Sequence, residues 1–285
     1  MSELKLAFSP PPIIHSKFTI SLFGICTTVV LFGILVLPSG SLALGTNGLS
    51  EVSWTLTAIC LSVLLGVLSA AHLASDTSPN LSGIRRLLLF IVLLIAINLS
   101  IRVSLPLLTD NSSNLNIFVA LPISAFALVA TVLLGFNTGI LSTLISSLVG
   151  VFVIASLPNT QASDVVLIFS TITGGGLSAS FVALGAKRIN DYLRGGFTIA
   201  AVILLSVAFS LPLSKEFEPS QFINISIAAI INGLLSATVG VGIYNVLSRP
   251  FGIITRVELM ELVQPGTRLL RQLQEQAPGT YAHAT

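Results

Sequence analysis

Eight runs of apolar residues, each close to bilayer-spanning length and joined by short polar loops, leave this chain few ways to fold. They lie at roughly residues 17–37, 52–73, 85–107, 116–135, 138–157, 164–186, 196–213 and 221–247. A hydrocarbon core about 30 Å thick takes about 20 helical residues to cross. With 53% hydrophobic and 8% charged residues, the chain lies outside the range of soluble globular domains. The predicted fold class is all-α: a polytopic membrane bundle of about eight transmembrane helices, followed by a short cytoplasmic helical linker. Its first partner is therefore the lipid bilayer.

Turn residues punctuate the gaps, as at Pro38-Ser39-Gly40, Asp76 to Asn80, Asp110 to Asn114 and Pro158-Asn159-Thr160. The fourth and fifth runs are joined so tightly, from Gly135 to Gly139, that a close antiparallel hairpin is expected. Basic residues set the orientation, because cytoplasmic loops collect Lys and Arg. With the N-terminus inside, eleven fall on the inner face, among them Lys5, Arg85, Arg86, Lys187, Arg188, Arg194 and Arg249, against Arg102 and Lys215 outside. Both termini are expected in the cytoplasm, and the run from Phe18 to Leu37 reads as a retained helix rather than a cleaved signal. The basic residues sit at segment ends instead of forming a stripe, so no nucleic-acid partner is expected. Cys26 and Cys60 lie inside apolar runs and read as small packing residues.

No ionisable residue stands clearly at mid-membrane, where a transporter or pump would keep one. Arg102 and His72 read as interfacial residues near span ends. Asn98, Asn137, Asn224, Asn232 and Asn245 can hydrogen-bond across helices without any ligand. Small residues at four-residue spacing are expected to mark helix contacts: Ser170, Gly174 and Ser178 around Gly174-Gly175-Gly176, then Gly233 with Ala237 and Ser236 with Gly240. A Gly-rich span is also compatible with a broken helix around a transported solute. There is no phosphate-cradling Gly-Lys-Ser/Thr loop, paired His/Cys metal spacing or serine-nucleophile elbow.

After the last run, Pro250 and Gly252 are expected to end the membrane helix. Thr255 and Glu258 have the spacing of a capping box for a first linker helix, and Pro265-Gly266 ends it. Leu269, Leu270, Leu273 and Ala277 give a second short helix an apolar face before Pro278-Gly279. The sequence then reads Thr280-Tyr281-Ala282-His283 and stops two residues later. With Ala120-Leu121-Pro122, Gly175-Gly176-Leu177, Asp191 to Gly196 and Asn232 to Ala237 in this order and spacing, the chain from Arg85 onward resembles the bacterial seven-transmembrane HD phosphohydrolases.

That resemblance implies a seven-helix signalling bundle (52–247), preceded by one extra helix with its tail and short outer loop (1–51). A cytoplasmic linker with the start of an HD domain follows (248–285). Family members carry an extracellular sensor and an HD domain that hydrolyses cyclic di-AMP with a divalent metal pair. His283 would correspond to the first metal-binding histidine, while Ala282 and Ala284 depart from the family's usual residues around it. The expectation is a truncated, membrane-embedded module in a bacterial inner membrane, lacking both sensor and catalytic domain. It would hold no cofactor and be inactive alone, with a separate HD domain or a homo-oligomer as further partners. A stand-alone transporter or channel is the alternative, and a scaffold the third.

Overall fold

A computed structural model describes residues 17–36, 48–75, 83–104, 115–155, 161–210, 219–253 and 276. Among these, every regular element of more than one residue is a helix: α1 (Lys17–Val36), α2 (Gly48–Ser75), α3 (Gly83–Val103), α4 (Leu115–Ala120), α5 (Ser124–Leu134), α6 (Phe136–Ala155), α7 (Ala162–Gly185), α8 (Ile189–Ser210) and α9 (Pro219–Phe251). Six of them, α1, α2 and α6 to α9, are long and apolar enough to cross a membrane. α3 places Arg85, Arg86 and Arg102 towards its ends, with a continuous apolar run from Leu87 to Ile97 between them. The outward surface is apolar as well, with Ile25, Phe181, Phe197, Leu205, Phe209 and Val246 exposed. A bundle apolar on both faces is a membrane bundle, since water would not tolerate that exterior.

The fourth run departs from expectation: instead of one helix over 116–135 it forms α4 and α5, interrupted at Leu121-Pro122-Ile123. Pro122 has no N–H to donate, and its ring disfavours helical backbone in the residue before it. α8 begins at Ile189 rather than near 196. Asp191 Oδ2 accepts the backbone N–H groups of Lys187 at 3.0 Å and Arg188 at 2.9 Å, which starts the helix among its charged residues. α9 likewise runs past 247 to Phe251, carrying Pro250 in its last turn. It ends at Gly252, whose φ of 65° is the left-handed conformation that closes a helix. The Ile253 N–H then returns to the Ser248 carbonyl at 3.0 Å.

α5 and α6 are separated by Gly135 alone, at φ 105°, a backbone state that side chains rarely adopt. The chain folds back there, so that Gly139 on α6 lies against Thr131 on α5. α7 packs on α5, α6 and α8, and α9 packs on α8, α4 and α5. α1 and α2 form a separate pair that α3 joins to the rest, with Trp54 edge-on to Phe152 of α6 at 5.0 Å between centroids. Some buried hydroxyls are spent within their own helices: Thr27 donates to the Phe23 carbonyl at 2.8 Å and Thr143 to Gly139 at 2.9 Å. Cys26 and Cys60 are free thiols.

A close backbone approach joins α8 and α9, where a Cβ on Gly233 would meet the Ala200 nitrogen and the Gly196 carbonyl at 2.5 Å each. Both obstacles are backbone, so Gly233→Val must push two helices apart. It is expected to lower stability by about 1–3 kcal/mol. Gly242→Ala, where a Cβ meets nothing within 4 Å, should cost nothing; thermal unfolding of both variants in detergent measures the contrast.

Candidate functional site

The interruption between α4 and α5 creates backbone groups that a bilayer cannot solvate. In an unbroken helix, residue 122 would donate to the Phe118 carbonyl and residue 123 to that of Val119. Here the Leu121 N–H takes Phe118 at 3.1 Å, and the Ile123 N–H turns to Leu121 at 2.7 Å. The Val119 carbonyl is thereby released. Asn232 Nδ2, from the middle of α9, donates to it at 2.7 Å. Ser236 Oγ, one turn on, donates to Asn232 Oδ1 at 2.8 Å and fixes the amide's orientation. Both side chains are at most 1% exposed.

Small residues bring the surrounding helices close to this clamp. On α7 the glycine run faces three neighbours in turn. A Cβ at Gly174 would lie 3.1 Å from Ser206 and Val202 of α8, one at Gly175 would collide with Ser124 at the start of α5, and one at Gly176 would meet Thr143 of α6 at 2.5 Å. Ser178 is half-buried and donates back to the Gly175 carbonyl at 2.8 Å. On α9 the small residues divide between two faces. Gly233 and Ala237 lie against Gly196 of α8, whereas Gly240 lies against Leu128 and the Ala125 carbonyl of α5. Below them Tyr192 and Tyr244, both buried, set their rings 5.6 Å apart.

A second polar junction, which sequence reasoning missed, surrounds the Gly135 elbow. Arg86, counted among the inner-face charges, is 4% exposed. Its guanidinium donates to Thr138 Oγ1 at 3.2 Å and to the Leu134 carbonyl, the C-terminal end of α5, at 3.4 Å. A cation at that end complements the helix dipole. His72 Nε2, from the last turn of α2, lies 3.0 Å from the same Thr138 hydroxyl. Two further segments, α2 and α3, are thus tied to one elbow. The signal was present: Arg86, Phe90, Leu93 and Ile97 follow helical spacing and are all buried, which puts Arg86 on the inward face and its neighbour Arg85 outside it.

Of the asparagines expected to bridge helices, Asn232 does so, while Asn98 bonds the Leu94 carbonyl of its own helix at 2.8 Å. Asn137, Asn224 and Asn245 are exposed on the exterior. Thr255, Glu258, Pro278, Gly279, Tyr281 and His283 lie outside the described residues. The clamp holds no nucleophile or acid–base pair. Its chemistry is mechanical: it holds a discontinuous helix against a continuous one.

Asn232→Ala should leave the Val119 carbonyl buried without its donor, at about 1 kcal/mol. The cost should shrink in a Pro122→Ala background, where residue 123 regains the geometry to donate to Val119. A double-mutant cycle by thermal unfolding reads this coupling, and additive effects would contradict it.

The cyclic-di-AMP phosphodiesterase PgpH of Bacillus subtilis (strain 168) is 25% identical to this chain over 171 residues, which cover 59% of the chain and 24% of PgpH. The chain thus spans about a quarter of that relative's length. No family model matches it, and no solved structure does. It is an all-helical bundle of membrane type, similar over more than half its length to part of a cyclic-di-AMP phosphodiesterase.

Proposed function

We propose that this chain is the membrane-embedded signal-transducing module of an HD-domain phosphohydrolase in cyclic-dinucleotide signalling. The observation that carries the proposal is the 171-residue similarity to PgpH, named for its action on cyclic di-AMP. In this reading the chain crosses a bacterial inner membrane eight times, with α4 and α5 forming one interrupted crossing. Both termini face the cytoplasm. Hydrolysis belongs to a metal-dependent HD domain on the cytoplasmic side, whether continuous with Thr285 or carried by another chain.

The clamp supplies a physical route for the signal. A shift of α4 relative to α5 changes the Val119–Asn232 hydrogen bond, and Asn232 sits on the rod that leads from the bundle to the linker. From Asn232 to Phe251 is about 28 Å of unbroken helix at 1.5 Å per residue, so a displacement at the clamp reaches the linker without passing through a loop. The interrupted helix also favours a transporter, where such breaks bind solutes. Against that second reading, the released carbonyl is already taken by Asn232.

Two experiments test the proposal. Reporter fusions at Asn47, Asn80, Asn159 and Asn190 should alternate outside, inside, outside, inside; an outside signal at Asn190 would overturn the orientation. A chimera placing this chain ahead of the PgpH catalytic region should hydrolyse cyclic di-AMP in membranes, and Asn232→Ala should change that rate severalfold without changing protein level. Saturable solute uptake in proteoliposomes that survives deletion of residues 265–285 would support the transporter instead.

A further inference from the structure

α3 and α9 each lean on α5. They leave between them a groove of about 350 Å³ lined by Val92, Ala96, Phe126, Gly242, Val246 and Leu247 among others, all of them apolar. Phe126 of α5 forms its floor. A Cβ on Gly242 meets nothing within 4 Å, so that wall is open to the exterior.

Helical register places two cations at one end of this groove. On α3, Arg85 precedes Val92 by seven residues and Ala96 by eleven, two spacings that return to the same face of a helix. On α9, Arg249 follows Gly242 by seven residues and Val246 by three, again on the groove's face. Both arginines are exposed, whereas Arg86, one residue along, is turned inward to the elbow. At 1.5 Å per residue the stretch from Arg85 to Ala96 rises about 16 Å, close to half of a roughly 30 Å hydrocarbon core. A strip of apolar wall one leaflet deep, ending in two guanidinium groups at headgroup level, has the dimensions and charge order of a phospholipid.

We propose that the groove between α3 and α9 is a binding site for an anionic phospholipid, one acyl chain lying along Val92, Ala96, Phe126 and Gly242 and the phosphate meeting Arg85 and Arg249. Arginine suits a phosphate because its planar fork donates to two oxygens at once. A zwitterionic lipid offers the same acyl chain, but its own ammonium offsets the charge the arginines would meet. Selectivity therefore resides in the pair of arginines and general lipid affinity in the groove. This inference goes beyond the proposed signalling function and needs only the membrane bundle, so its test involves no catalytic readout.

The experiment is native mass spectrometry of the purified full chain, titrated in detergent with dioleoyl phosphatidylglycerol or dioleoyl phosphatidylcholine. The wild type should retain phosphatidylglycerol roughly ten- to thirty-fold better, the contribution expected of two arginines facing an anionic headgroup. R85Q/R249Q should bring the two lipids to parity, with R249Q alone intermediate and available should the double variant fail to fold. G242L, which fills the open wall, should weaken both lipids. R188Q/R194Q removes two exposed arginines from the α7–α8 region and should leave the preference intact. The proposal is overturned by equal retention of both lipids in the wild type. It is also overturned by a preference that R85Q/R249Q leaves unchanged or R188Q/R194Q abolishes equally. A lipid-insensitive dimer that G242L dissociates would assign the groove to a second copy of the chain.

Discussion

The absence of water from a bilayer is the constraint on which this structure depends. Every backbone N–H and C=O in that layer must find a partner inside the protein, and a proline in the fourth apolar run makes this impossible for that helix alone. Asn232 eases the conflict from another helix by donating to the Val119 carbonyl, which the interruption at Pro122 leaves without its Ile123 donor. Because the donor is a side chain of α9, the position of α9 is tied to the interruption. The small residues follow from this requirement: Asn232 reaches Val119 only if α9 sits close, and Gly240 against α5 and Gly233 against α8 allow that approach.

The elbow at Gly135 uses the same logic at the end of the bundle. α5 stops with the Leu134 carbonyl facing inward, and Arg86 covers it while also holding Thr138 at the start of α6. A single-residue turn leaves no loop to absorb motion, so α5 and α6 move together. The interruption at one end of α5 and the elbow at the other bound a short strut: the clamp joins its neighbour α4 to α9, and the elbow ties its far end to α2 and α3.

Much of this architecture was legible in the sequence. Runs of about twenty apolar residues gave the helices, and Gly135 to Gly139 gave the hairpin. The start of α8 at Ile189 differed because hydropathy marks where lipid ends while hydrogen bonding marks where a helix ends; the last helix does end at Gly252, as its sequence suggests. Asp191 sets the α8 start, and it lies among polar residues. The break at Pro122 was missed for a related reason: an apolar window is blind to a missing N–H. That Arg86 turns into the bundle while Arg85 faces out was not read, although consecutive residues on a helix point about 100° apart. Asn232 could be named as a bridging candidate, but Val119 could not, since nothing in a sequence shows which carbonyl a distant proline will free.

The length of α9 has a consequence for where the linker begins. Its 33 residues make a rod about 50 Å long, and a core of about 30 Å would contain it only at a tilt beyond 50°, steeper than the 0–40° seen for membrane helices. At an average tilt of about 20° some 18 Å of helix must stand outside the hydrocarbon. With Arg249 at headgroup level, most of that excess lies toward the Pro219 end: α9 rises above the lipid on the far side, and the segment after Ile253 starts at the membrane surface.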